Sequence, residues 1–174
     1  NTLRNEYGDF GATLEVLHHT ELLADLVAEG RLKGATPEPG RVTYHDPCYL
    51  ARVNNTSDAP RSLVGDQTHL DETVTLLDLA KNEPYPLRVL AEPEQHGRKT
   101  LCCGAGGGRM WMDEEPNQRP SNRRLDQLVE TGADTVAVAC PFCRIMLDAG
   151  LKQRPDGDNI KLVDLAEMLQ DANS

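Results

Sequence analysis

Five cysteines are the residues of this chain whose type and spacing could carry chemistry. They follow the pattern C-x53-C-C-x36-C-x2-C and are Cys48, Cys102, Cys103, Cys140 and Cys143. An odd number, with one adjacent pair and one C-x-x-C pair, does not match a disulfide framework, and 174 residues can build a core without one. Clustered cysteines in a reducing compartment bind metals or carry out redox chemistry. We therefore predict that these thiolates hold a metal.

Thiolate ligands favour two kinds of centre, iron–sulfur clusters and zinc. A cubane cluster uses four cysteines, so a fifth is left over or belongs to a less common cluster geometry. The glycine run after the adjacent cysteines can bring backbone N–H groups close to the sulfurs, and its candidate cofactor-binding residues are Gly104, Gly106 and Gly107. The C-x-x-C pair opens a predicted helix, whose N-terminal dipole favours thiolate. The spacing predicts a thiolate metal site and leaves the metal open.

Strands that alternate with helices must position these cysteines. Short apolar runs predict strands at 41–45, 87–90, 135–139 and 160–163. Helical spacing and start signals predict helices at 20–30 with Thr20 as the N-cap, from 58 onward, and at 71–81, 121–130, 141–151 and 165–169. This alternation predicts an α/β fold with a mostly parallel sheet flanked by helices.

Each group of cysteines follows a predicted strand. Cys48 comes after the strand at 41–45, Cys140 comes after the strand at 135–139, and the glycine loop follows the strand near 87–90. Ligand sites of open parallel sheets gather where loops leave the carboxyl ends of the strands. We therefore expect the three cysteine loops to converge at one sheet edge.

Composition argues against several classes of partner. The chain has only seven aromatic residues and a net charge of −10, which disfavour binding to nucleic acid or to anionic lipid. No apolar run approaches the ~20 residues needed to cross a bilayer, and no secretory segment opens the chain. We expect a cytoplasmic protein that does not itself insert into a membrane.

Two other motifs offer alternatives to the metal site. A strand followed by C-P-F-C and a helix is also the context of a thioredoxin-like dithiol, but too few residues follow Cys143 to complete that sheet. The glycine run could suggest a dinucleotide-binding loop, but Arg109 stands where the last glycine of G-x-G-x-x-G belongs. The dinucleotide motif is therefore absent.

Three segments of the sequence resemble a known family. These are HDPCYLAR (45–52), LCCGAGGGRMWMDE (101–114) and TGADTVAVACPFCRIML (131–147), which together contain all five cysteines. They resemble the cysteine-rich CCG domain found in heterodisulfide reductase and in related iron–sulfur oxidoreductases. The nearest resemblance is to the bacterial, membrane-associated branch that passes electrons from electron-transfer flavoprotein towards quinone.

The resemblance implies a cofactor and a domain organisation. Family members ligate a non-cubane [4Fe–4S] cluster with the five motif cysteines, at the positions given above. They carry two CCG modules in tandem with a ferredoxin-like part, so residues 1–35 would be the tail of a preceding module and residues 36–174 the second CCG domain. The gap before Cys102 is longer than usual, which implies an insertion within 65–99. The parent protein would lie at the cytoplasmic face of the membrane.

A few further residues near the cysteines have functional and structural interpretations. His45 could reach the cluster edge, but we expect it to order the turn with Asp46. Arg52 and Arg109 either offset cluster charge or lie on the solvated surface. Trp111 is expected to cover the glycine loop or to meet the missing module.

Three functional hypotheses follow from the sequence. The first is an iron–sulfur redox module that transfers electrons or carries out disulfide-type chemistry within a larger oxidoreductase. The second is a zinc-stabilised structural or interaction domain, in which four cysteines form a closed tetrahedral site. The third is a metal-free dithiol oxidoreductase that uses Cys140 and Cys143 and does not need Cys48. Oxygen can strip iron from an isolated fragment, so zinc or an empty site is also expected there.

Overall fold

The strands form one parallel sheet, as the alternation of elements predicts. A computed structural model describes residues 1–35, 40–64 and 88–173. The sheet contains β1 (Gly40–Tyr44), β2 (Arg88–Leu90), β3 (Thr135–Val138) and β4 (Lys161–Asp164) in the order β2-β1-β3-β4. Every neighbouring pair of strands is parallel. The α/β fold with a parallel sheet is therefore confirmed, with each strand within one residue or so of its predicted position.

Helices connect and flank the strands. They are α1 (Thr2–Asn5), α2 (His19–Ala28), α3 (Asp58–Val64), α4 (Pro120–Val129), α5 (Pro141–Leu151) and α6 (Leu165–Asn173). Short 3-10 turns lie at Tyr7–Phe10, Gly97–Lys99, Gly106–Trp111, Pro116–Gln118 and Gly157–Asn159, and a π-type turn lies at Tyr49–Val53. The predicted helix at 71–81 lies outside the described residues.

Two apolar cores cover the two faces of the sheet. Successive strand residues point to opposite faces, so Val136 and Val138 belong to one core while Ala137 belongs to the other. The face that carries Val136 and Val138 packs against α4 and α5 through residues such as Leu128 and Leu147. The second face is covered by α2, α3 and α6. The sheet is thus buried on both sides, as parallel sheets require.

The register places the ends of β1 and β3 at the same level. Tyr44 pairs with Ala137, and the backbone N–H of His45 donates to the carbonyl of Ala137 at 2.9 Å. The chain therefore leaves both strands at the same sheet edge. The loop that leads to Cys48 and the turn at Cys140 start there side by side.

The start of α2 differs from the sequence prediction. Thr20 is a buried residue inside the helix, and the N-cap is His18. The His18 Nδ1 atom accepts the backbone N–H of Thr20 at 3.3 Å, and the Glu21 carboxylate accepts the N–H of His18 at 2.8 Å. The prediction was wrong because an imidazole nitrogen serves here in place of the usual hydroxyl or carboxylate oxygen.

Within the described residues, no helix is both long and apolar enough to cross a membrane.

Candidate metal centre

All five cysteines line one cavity at the carboxyl-end edge of the sheet. The cavity has a volume of about 470 Å³, and apolar side chains such as Met110, Trp111 and Phe142 complete its wall. Cys48 follows β1, Cys140 is the N-cap of α5, and the adjacent pair lies in the loop after β2. The structure thus brings together the cysteine loops that were expected to converge.

The sulfurs lie at different depths in this cavity. Cys103 and Cys143 are buried, whereas Cys48, Cys102 and Cys140 are partly exposed. One ring nitrogen of His45 and the Sγ atoms of Cys103 and Cys143 lie within 4.8 Å of one another. The deep end of the cavity therefore combines two thiols with an imidazole.

Hydrogen bonding between the thiols distributes their protons unevenly. The hydrogen bond with the Cys143 thiol, assisted by His45, lowers the pKa of Cys103 to about 4 despite its burial. The same thiol lowers the pKa of Cys140 to about 6. Its two hydrogen bonds and its burial raise the pKa of Cys143 itself far above the usual value. These hydrogen bonds favour the thiolate form of Cys103 and Cys140 and the protonated form of Cys143.

The pKa of Cys48 is raised, unlike those of Cys103 and Cys140. Burial and the neighbouring Cys102 thiol raise the pKa of Cys48, and the charge of Arg52 only partly offsets this. A cation that binds all five sulfurs must therefore displace protons from at least Cys48 and Cys143.

Backbone N–H groups surround the sulfurs. Gly104 donates its N–H to Cys102 Sγ at 3.3 Å, and backbone N–H groups at the start of α5 lower the pKa of Cys140. Gly104 has a φ of 85°, and a Cβ there would lie 3.1 Å from Pro120, so both conformation and space favour glycine. Gly106 lines the cavity, whereas Gly107 belongs to the same loop without lining it. The cofactor-binding role of these glycines stays a prediction.

This donor set fits a thiolate-bound cluster. Five sulfurs from three loops face one cavity, and backbone N–H groups can stabilise the negative charge that thiolates and cluster sulfide carry together. Buried polar atoms without a hydrogen-bond partner among the described residues include His45 Nε2 and Arg124 Nη2, which belong to two side chains in contact with each other. Such groups are costly unless a bound group satisfies them.

A comparison of the chain with models of known protein families finds a match in the region that contains most of the cysteines. A family model described as a cysteine-rich domain, CCG, matches residues 87–148, which include four of the five cysteines. The chain belongs to the CCG cysteine-rich domain family. Cys48 precedes the matched residues and lines the same cavity as the other four cysteines.

Individual relatives extend the similarity over most of the chain. A probable iron-sulfur-binding oxidoreductase, FadF, from Bacillus subtilis is 37% identical over 97% of this chain and 21% of its own length. An EtfAB:quinone oxidoreductase from Syntrophomonas wolfei is 37% identical over 96% of this chain and 22% of its own length. A component of the dihydromethanophenazine:CoB–CoM heterodisulfide reductase from Methanosarcina barkeri is 31% identical over 78% of this chain and 29% of its own length. The chain spans only about a fifth to a third of these relatives.

His45 and Arg124 form a buried pair that sequence reasoning did not find. From the sequence, His45 is expected to order the turn with Asp46, but the structure shows no hydrogen bond from its ring to that carboxylate. Its Nδ1 atom instead accepts the Nε–H of Arg124 at 3.0 Å, and burial lowers the pKa of His45. A signal was present, since Arg124 falls at helical spacing among the buried residues Ser121, Leu125 and Leu128. A charged residue on the apolar face of a helix indicates a buried partner.

A second buried network joins the Cys48 turn to the segment that precedes the glycine loop. Arg61 on α3 bonds to both carboxylate oxygens of Asp46, at 2.7 and 2.9 Å, and to Glu92 at 2.6 and 3.2 Å. The N–H of Gly97 donates to Asp46 at 2.8 Å. This network fixes the position of one cysteine loop relative to the next.

The remaining residues singled out from the sequence take peripheral positions. Arg109 forms an ion pair with Glu114 at 2.6 Å on the surface. Arg52 is exposed in the turn after Cys48, where its charge acts weakly on that thiol. Trp111 lines the cavity mouth with 82% of its surface exposed, so it borders the cysteines without closing over them.

Proposed function

We propose that this chain is the iron–sulfur redox module of a larger oxidoreductase. The observation that carries the proposal is the convergence of five cysteines on one cavity surrounded by N–H donors. The relatives support it, because their names describe iron–sulfur-binding proteins and oxidoreductases. Thiolate ligands together with backbone N–H donors are what an iron–sulfur cluster requires of a protein.

Each part of the site has a defined task in this proposal. The five cysteines ligate one [4Fe–4S] cluster of non-cubane geometry, which supplies reversible electron uptake and a centre for disulfide-type chemistry. The N–H groups of the glycine loop and of the α5 start offset the negative charge, with Gly104 donating to Cys102 and Gly106 lining the cavity. Met110, Trp111 and Phe142 form an apolar wall beside the sulfurs.

The rest of the oxidoreductase supplies the partners. We infer that residues 36–174 form a second CCG module and that residues 1–35 are the tail of a first one, with a ferredoxin-like part elsewhere in the parent chain. The relative that acts with EtfAB and quinone supports electron-transfer flavoprotein as the donor and quinone as the destination. We place the parent protein at the cytoplasmic face of a membrane, and a relative described as a probable membrane-anchored ferredoxin, from Chromohalobacter salexigens, supports the association with a membrane.

Metal and sulfide analysis after anaerobic reconstitution tests the proposal. We expect about four irons and four acid-labile sulfides per chain, with a brown visible absorption. The absorption should be lost in Cys102→Ala and in Cys103→Ala, while Ser62→Ala on the exposed side of α3 should retain it. A colourless protein with one zinc and no sulfide would contradict the proposal.

Zinc is the second candidate because one observation favours it. The ring nitrogen of His45 and the sulfurs of Cys103 and Cys143 lie within 4.8 Å of one another, and Cys140 could provide a fourth ligand. Such a closed site would stabilise the fold without redox chemistry. It would not use Cys48, so zinc content that survives Cys48→Ala distinguishes it from the five-cysteine cluster. Thiol–disulfide activity that survives the same change without any metal would instead indicate the dithiol of Cys140 and Cys143.

A further inference from the structure

Arg124 is a fully buried cation whose hydrogen-bond partners among the described residues are uncharged. Its side chain is 0% exposed, and Nη1 donates to the carbonyl of Gln95 at 2.8 Å and to the side chain of Gln127 at 3.0 Å. The Nε–H donates to His45, and Nη2 has no partner in the part of the chain that the structure describes. The carboxylates of Asp46 and Glu92 act on Arg124 through space, but within the described residues no anion is hydrogen-bonded to it. A buried guanidinium in this setting is stabilised further by any negative charge that binds close by.

The bond from Arg124 fixes the proton of His45. An arginine Nε–H can only donate, so Nδ1 of the ring is the acceptor and the neutral imidazole carries its hydrogen on Nε2. Nε2 is buried and has no hydrogen-bond partner within residues 1–35, 40–64 and 88–173. A ring nitrogen of His45 lies within 4.8 Å of the sulfurs of Cys103 and Cys143, and Nε2 is the nitrogen that the bond from Arg124 leaves available to them. A fixed N–H donor therefore points into the deep end of the cavity.

We propose that His45 donates its Nε2–H to a sulfur of the bound cluster and that Arg124 is the residue that positions it and adds a buried positive charge. The proposal rests on the iron–sulfur function proposed above and assigns to this pair the control of the reduction potential. His45 is a hydrogen-bond donor here and not an iron ligand.

The direction of the effect follows from electrostatics. An added electron makes the cluster and its thiolates more negative, so a hydrogen-bond donor and a buried cation stabilise the reduced form more than the oxidised form. Both groups raise the reduction potential. Their effect is large because they act at short range in a buried site with little screening.

Redox titration of the reconstituted chain, followed by paramagnetic resonance, tests the proposal. We expect His45→Leu to lower the ratio of reduced to oxidised cluster at fixed potential about tenfold, equivalent to about 59 mV for a one-electron couple. His45→Gln keeps an N–H near the position of Nε2 and should restore most of the ratio. Arg124→Met should lower it by a similar factor. Arg154→Met is the control, because it removes a cation that is paired with Asp126 and Asp156 at the other end of α5.

A spectroscopic measurement on the unaltered chain makes the test independent of folding of the variants. With ¹⁵N-labelled histidine, a weak hyperfine coupling to the reduced cluster is expected from a hydrogen-bonded Nε2. A strong coupling typical of a nitrogen ligand would overturn the proposal, as would the absence of any coupling. Unchanged potentials in His45→Leu and Arg124→Met would overturn it as well.

The failure of this proposal can be distinguished from failure of the proposed function. If no cluster assembles, the iron–sulfur function fails, and the role of His45 fails with it. If a cluster assembles with about four irons and its potential ignores His45 and Arg124, only the present inference fails.

Discussion

Cys143 differs from the other cysteines because its thiol is hydrogen-bonded to the sulfurs of both Cys103 and Cys140. Its pKa is raised while those of Cys103 and Cys140 are lowered, an arrangement that avoids the repulsion of three negative charges on closely spaced sulfurs. A metal removes the need for the proton on Cys143. The protonated Cys143 thiol therefore lets the sulfurs lie close together without a metal, and it loses its proton when a metal binds.

Alkylation of the metal-free chain should reveal this distribution of charge. Cys140 has a pKa lowered to about 6, so its thiolate fraction, and with it the rate of alkylation by iodoacetamide, rises through about pH 6 and levels off above it. Cys48 has a raised pKa and should react only in alkaline solution. Peptide mass spectrometry across a pH series from acid to alkaline reads both sites in one sample. Equal labelling of the two cysteines at neutral pH would contradict the prediction.

Trp111 should report on the occupant of the cavity. It is the only tryptophan of the chain and lines the same cavity as the cysteines. We expect its fluorescence to fall strongly as an iron–sulfur cluster assembles, because the cluster absorbs where tryptophan emits. Zinc, which does not absorb there, should leave the emission nearly unchanged. Trp111→Phe provides the background, and undiminished emission in a fully loaded brown chain would refute the assigned position of the ring.

Helix α3 connects the loop that carries Cys48 to the segment that leads to Cys102. Arg61 lies within it and connects Asp46, two residues before Cys48, to Glu92 in the segment that leads to Cys102. A buried carboxylate that loses its paired cation is strongly destabilised. The position of the loops thus depends on one guanidinium.

Arg61→Leu should therefore destabilise the fold and loosen the metal site together. We expect a loss of about 3 kcal/mol in the free energy of unfolding, measured by urea denaturation, and slower cluster assembly. Lys152→Met is the matched control. It breaks an exposed ion pair with Asp148 on α5 and should cost less than about 0.5 kcal/mol. Equal losses in the two variants would show that the buried network does not support the loops.

The molecule as a whole holds its cysteines on three loops that lie far apart in sequence. The sheet fixes where these loops begin, and the buried networks fix part of their course. A cluster that binds all three would connect distant parts of the chain and stabilise only the folded state. Cofactor binding should therefore be visible in global stability.

Removal of the cluster should lower the thermal midpoint of the chain by about 10 °C, since a tightly bound ligand contributes about 3–4 kcal/mol and each 1 kcal/mol shifts a domain of this size by about 2–4 °C. Calorimetry before and after anaerobic treatment with a chelator measures the change. The double variant Cys102→Ala, Cys103→Ala should show no response to the chelator. An unchanged midpoint after complete iron loss would indicate a cofactor that does not bridge the loops.

The sequence by itself determined the class of fold and the convergence of the cysteines. Period and β-branching place the strands, and the rule that loops leave a parallel sheet at one edge brings Cys48, Cys102 and Cys140 together. The composition of the glycine loop also indicated backbone N–H donors, which Gly104 provides. The strands and the glycine loop are local features, so short stretches of sequence are enough to predict them, and the convergence then follows from the general geometry of parallel sheets.

Only the tertiary structure decided which polar groups support the site. His45 and Arg124 lie 79 positions apart, and Arg61 and Glu92 lie 31 apart, so no local pattern pairs them. The imidazole of His45 turned to Arg124 and the sulfurs rather than to Asp46, because Arg61 already occupies that carboxylate. Competition among partners in a packed interior determines these contacts, and it exists only once the chain has folded.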